Sequence, residues 1–119
     1  MIDYATEPGS PIVEIRVRGH ITDDELRATM ARLKSDIGEQ GKTRILERID
    51  HFTGLEPKAL WTDVTQGVPL AQQIERAAIV ADAAWIRGMT ELGAVFSRAK
   101  VKAFRPDELD KARIWLSAG

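Results

Sequence analysis

Residues 77–81 read Ala77-Ala78-Ile79-Val80-Ala81, held between Arg76 and Asp82. The run is apolar without a break and shorter than a helix needs. It reads as a central parallel strand covered on both faces. A parallel strand requires crossover connections, so helical patterns are expected on both sides of it in the chain. Downstream, Asp82 is placed to cap a helix carrying Trp85, Met89, Leu92 and Phe96, with Ile86 and Val95 flanking the stripe. Lys100-Val101-Lys102-Ala103-Phe104 alternates with period two and reads as a strand nearer the sheet edge. Pro106 and Asp107 open a last helix with Leu109, Ala112 and Leu116 on one side. Trp115 either widens that stripe or lies exposed.

Upstream, Pro57 fits the first turn of a helix whose apolar side is Leu60, Trp61, Val64 and Val68. Gly67 and Pro69 are expected to end or kink it before Leu70-Ala71-Gln72-Gln73-Ile74. Asp50-His51-Phe52-Thr53-Gly54 reads as a loop. It follows a strand, Thr43 to Ile49, whose internal charges make one face wet. Thr22-Asp23-Asp24-Glu25 is a capping box, and Leu26, Met30, Leu33 and Ile37 repeat behind it at helical spacing. Gly38 is the expected stop. Val13, Ile15 and Val17 alternate with Glu14, Arg16 and Arg18 in a strand that Gly19 ends, the charges forming solvated cross-strand pairs. Ile2, Tyr4 and Thr6 share one side of a first strand, joined to the second through the turn residues 7–11.

The order is a β-hairpin followed by α-β-α-β-α-β-α. The fold class is α/β, with a mixed sheet whose N-terminal strand is antiparallel and whose other crossovers are right-handed. A chain of 119 residues makes this one domain, residues 1–119.

Seventeen Lys and Arg against eighteen Asp and Glu leave a net charge of −1. That balance argues against a general nucleic-acid or anionic-membrane binder. Without cysteine, the chain has no disulfide, thiolate nucleophile or Cys-ligated metal. His20 and His51 fall in no metal spacing, so neither a metal nor a cofactor is expected. No apolar run approaches the roughly 20 residues of a membrane helix, and no signal core opens the chain. A cytoplasmic location is expected.

In open α/β sheets ligands sit beyond the carboxyl ends of the strands, near a reversal of strand order. Asp50, His51, Phe52, Thr53, Asp82 and Trp85 fall at such ends. Asp50, His51 and Asp82 are the candidates for acid–base chemistry, but cap and turn roles for Asp82 and Thr53 weigh more. Trp61 and Trp85 stand near helix starts, either at a pocket mouth or in the core, and core packing is favoured. Gly88 and Gly93 read as packing accommodations. Phosphate-binding loops, the dinucleotide fingerprint, the nucleophile elbow and the zinc-protease helix are all missing. A receiver domain would need an acidic pair where Gly19-His20 stands.

From Arg76 to Trp85, through Met89-Thr90-Glu91-Leu92-Gly93 and Val101-Lys102-Ala103-Phe104, to the closing helix from Asp107 to Leu116, the chain resembles the SpoIIAA-like family. Gly19-His20-Ile21-Thr22, Phe52-Thr53-Gly54 and Trp61 fit the same pattern. The resemblance implies a STAS-like, CRAL-TRIO-related fold with the element order above, in a family generally without assigned biochemistry. Anti-sigma-factor antagonists of this class carry a phosphorylated Ser in a turn that Asp50-His51-Phe52-Thr53-Gly54 matches only in part. Thr53 is the corresponding candidate phosphosite. The CRAL-TRIO relation implies an apolar ligand.

The reading is therefore a non-catalytic, cytoplasmic STAS-like module that binds a protein partner or a small apolar, lipid-like ligand. Its candidate contacts are Asp50, His51, Phe52, Thr53, Trp61, Asp82 and Trp85. The alternative is a small hydrolytic or acid–base enzyme using Asp50, His51 and Asp82. A homodimer is expected, because the half-polar hairpin and third strand leave sheet surface uncovered.

Overall fold

Five strands, β1 (Ile2–Thr6), β2 (Ile12–Ile21), β3 (Thr43–Leu55), β4 (Ile74–Ala81) and β5 (Lys100–Phe104), lie side by side in chain order in one sheet. β1 is antiparallel to β2, and each later pair is parallel. Between them come the helices α1 (Asp23–Gln40), α2 (Pro57–Thr62), α3 (Val68–Ala71), α4 (Ala84–Ala94) and α5 (Leu109–Ser117). A π-helical turn, Asp63–Gly67, joins α2 to α3, and a 3-10 turn, Pro106–Glu108, precedes α5. The computed structural model describes residues 1–41, 43–94 and 100–118. Val95 and Phe96 lie outside the described residues, as do the side chains of Val64 and Leu92.

The parallel strands are added in one direction only, so right-handed crossovers place α1, α2, α3 and α4 on one face. On that face Val13, Ile15 and Ile45 pack with Leu33, Ile37 and Leu70. α5 covers the opposite face, where Leu46, Ala78, Val80 and Phe104 meet Ala112 and Leu116. Trp115 widens this second core, 6.1 Å from the Phe104 ring. Arg16–Asp50, Arg18–Asp3 and Arg48–Glu14 form ion pairs across the strands, whereas Arg44, paired with Glu75, is not solvated but also donates to the Leu116 carbonyl.

The capping box forms as read: Glu25 N–H donates to Thr22 Oγ1 at 3.2 Å, and Thr22 N–H to the Glu25 carboxylate at 3.0 Å. Several boundaries differ. α1 runs past Gly38 and stops at Gly41, whose φ of 76° suits a residue without Cβ. Gly19 does not end β2 but marks a bulge in it, at φ 67°. Asp50 to Gly54 is not a free loop, because β3 continues to Leu55 with an irregular register against β2.

The apolar sides of two helices face outward. Leu60, Trp61 and Val68 are 58%, 70% and 56% exposed, while Ala59, Thr62 and Leu70 point inward. The side of α2 that carries Ala59 and Thr62 faces inward instead, where Thr62 bonds Asp23. In α4, Ile86 is buried and Trp85 and Met89 are not. Core packing is thus the wrong role for Trp61 and Trp85. Gly88 has open space around its Cβ position, so close packing does not explain it.

Candidate functional site

β3 supplies the floor of the site. Its register pairs Glu47 with Ile15 of β2 and Ile79 of β4. Period two then sets Glu47 between Ile45 and Ile49 on the face covered by α1 to α4. Two cavities adjoin over it. One, of about 370 Å3, lies under α2 and α4 and is lined by Ile21, Ile49, Phe52, Ala59, Leu60, Trp85, Ile86 and Met89 among others. The second, of about 320 Å3, lies under α1 and α3, against Ile15, Met30, Leu33, Ile45 and Leu70. Ile2, Val17, Leu26, Glu47 and Asp63 line both.

Glu47 and Asp63 are the charged residues of this lining; no Lys, Arg or His is among the described lining residues. Burial, and then the nearby Asp63 charge, push the half-buried Glu47 carboxyl up to about 7. Asp63 is accessible as a residue, yet burial of its carboxyl raises that group too. The π turn positions it, and Gly67 closes the turn. A Cβ on Gly67 would stand 3.2 Å from both Asp63 Oδ1 and Met30 Cε.

The roof is held by a buried polar clasp. Thr62 donates its hydroxyl hydrogen to Asp23 Oδ1 at 2.6 Å, and Arg27 Nε donates to Oδ2 at 2.6 Å. These two bonds hold the Asp23 carboxyl below its usual range, the Thr62 bond foremost. Glu56 accepts the Asp23 N–H at 3.0 Å.

Of the sequence candidates, the structure brings Phe52 and Trp85 together, with ring centroids 6.2 Å apart at the pocket wall. It does not assemble Asp50, His51 and Asp82 for proton transfer. Asp50 accepts from Arg16 at 3.1 and 3.4 Å, which holds its carboxyl low. Asp82 does not cap α4, which begins two residues later; its Oδ2 accepts the main-chain N–H of His51 at 3.1 Å. His51 is exposed at φ 52°, a left-handed backbone. Thr53 and Trp61 are exposed and line neither cavity. The strand order has no reversal, and the pocket lies under α2 and α4 at the carboxyl ends of β2 and β3, lined there by Ile21, Phe52 and Leu55.

Sequence reading missed Glu47 and Asp63. Glu47 did carry a signal: an acid at the middle of the Ile45-Glu47-Ile49 alternation sits where an aliphatic residue belongs. Asp63 carried none, because its placement follows from the π turn.

The model of the family described as SpoIIAA-like matches residues 12–117. The chain belongs to the SpoIIAA-like family. Among solved structures, this SpoIIAA-like chain is similar to an uncharacterized protein of the DUF3478 family with a SpoIIAA-like fold, from Shewanella loihica PV-4. That likeness has 20% identity and a TM-score of 0.74, covering 98% of this chain and 92% of the other. It is also similar to the anti-sigma factor antagonist SpoIIAA in its unphosphorylated form, at 13% identity and a TM-score of 0.63, covering 95% and 98%. Both likenesses bear on the fold. No curated protein matches the chain significantly. Among the described residues, no helix is long and apolar enough to cross a membrane.

Proposed function

We propose that this SpoIIAA-like protein is a non-catalytic regulatory module that binds a small, mainly apolar molecule between its helices and β3. The observation that carries the reading is the cavity of about 370 Å3 whose apolar walls run out to the exposed Leu60, Trp85 and Met89. Its size falls within the roughly 300–1,000 Å3 of small-molecule sites. Exposed apolar side chains rimming a concavity are the usual mark of a ligand-binding groove.

The acid–base alternative draws no support from the geometry, since Asp50 and Asp82 are engaged with Arg16 and the His51 backbone. A protein partner is supported by the fold likeness to an anti-sigma factor antagonist and by the outward Trp61. Docking over the pocket mouth would let ligand occupancy control such a partner. The expected homodimer would use the far side of β1 and β2, where Asp3, Arg16 and Arg18 are accessible.

Native mass spectrometry of freshly purified protein, with Nile red titration as a neutral apolar probe, tests the reading. A retained small-molecule mass, or saturable Nile red binding that Trp85→Ala weakens, supports it. Neither adduct nor saturable binding would remove it.

A further inference from the structure

A carboxyl group in the middle of a sheet face usually brings a cation with it, because an unpaired charge in an apolar setting is costly. Elsewhere this chain follows that rule. Glu14 has Arg48 and Arg113, Asp50 has Arg16, and Asp23 has Arg27. Glu47 departs from it. Its strand neighbours are Ile15 and Ile79. The elements over it present Ile2 from β1, Leu26 from α1, Ile86 from α4 and Asp63 from the π turn. Among the described lining residues, the charged group that faces Glu47 is therefore a second carboxyl.

We propose that Glu47 and Asp63 form the polar end of the ligand site, and that its ligand is a protonated primary amine carrying an apolar chain. The proposal rests on the apolar-pocket reading and adds the head group. Both cavities reach the two carboxyls, so an ammonium placed at them can leave its chain in either lobe. Burial raises both carboxyls, and the Asp63 charge raises Glu47 further, which leaves Glu47 partly protonated near neutral pH. An ammonium set between them can donate its three N–H groups to both carboxyls, with its charge opposite theirs. An alcohol of the same chain would gain a hydrogen bond without the charge. A carboxylate would be repelled.

The test is calorimetric titration of the intact protein with decylamine, decanol and decanoate near neutral pH. It is repeated on the double variant Glu47→Gln/Asp63→Asn after thermal melting confirms that it folds. Wild type is expected to bind decylamine about tenfold or more tighter than decanol, with decanoate weakest. The double variant is expected to bring amine and alcohol within about threefold of each other while alcohol affinity stays put. Equal binding of amine and alcohol by wild type overturns the head-group assignment and leaves the apolar pocket standing. Binding of none of the three overturns both. An amine preference that survives in the double variant also overturns the assignment, because it then comes from acids elsewhere on the surface.

Discussion

Thr62 donates its hydroxyl hydrogen to Asp23 across 2.6 Å, tying the helix that roofs the pocket to the first turn of α1. Thr62 is wholly buried, so its hydroxyl has no water as a substitute partner. Thr62→Val keeps the shape and removes the bond. It is expected to lower the melting temperature by about 4–6 °C, the shift for one lost net hydrogen bond in a domain of this size. The Asp23 carboxyl is held low in the folded state, so its contribution is present above the ordinary carboxylate range and lost as pH falls through the lowered value. The gap between wild type and Thr62→Val should therefore narrow in acid. A gap that widens in acid would contradict the clasp.

Glu47 acts with the opposite sign. Its folded-state ionisation is raised to about 7 by burial, above the ordinary value of 4.5. Between those two values the unfolded chain has lost its proton while the folded chain keeps it, so stability falls as pH rises through that window. Below the window both states are protonated and the penalty vanishes. Urea midpoints of the ligand-free protein near pH 5 and pH 8 measure it, and wild type is expected to lose on the order of 2 kcal/mol more than Glu47→Gln over that span. Parallel pH dependence in the two proteins would show that Glu47 is solvated.

His51 and Asp82 are read as a structural join between the ends of β3 and β4. The left-handed backbone of His51 suits a residue free of β-branching. His51→Val is expected to cost about 1–2 kcal/mol, and His51→Gly to be close to neutral. Chemical denaturation measures both. Asp82→Ala, which frees the His51 N–H, should leave Nile red affinity within about twofold of wild type, since Asp82 lines neither cavity. A tenfold loss would bring Asp82 back into the site.

Thr53 stands exposed on the irregular end of β3, four residues before Pro57 opens α2. A phosphate there would add roughly −1.5 to −2 charges outside the pocket. Thr53→Asp and Thr53→Ala are expected to bind Nile red as wild type does, with any effect confined to capture of a protein partner. Weakened probe binding by Thr53→Asp alone would instead couple this position to the pocket.

The parts of the fold that were legible in the sequence are those set by local rules. The Thr22–Glu25 box starts α1, the Ala77–Ala81 run forms a strand flanked by parallel neighbours, and Pro57 opens a helix. What misled was facing. Trp61 and Trp85 look like core residues to any periodicity argument, but α2 buries Ala59 and Thr62 and α4 buries Ile86, which leaves both tryptophans outward. The strand-end residues drew attention as a group because their types suit catalysis. Hydrogen bonding to Arg16 and to a backbone N–H accounts for the two carboxylates among them. Of the pocket, Phe52 and Trp85 were legible, and Glu47 was visible only as an acid on an aliphatic face.

Amide NMR shift mapping during a decanol titration tests the central claim most directly, because it locates an apolar ligand without presuming its head group. The account predicts saturable shifts gathered on Ile21, Phe52, Ala59, Ile86 and Thr90, the lining of the cavity under α2 and α4. Shifts gathered on the outward Trp61 and Ile114, or no saturable shift at all, would contradict it.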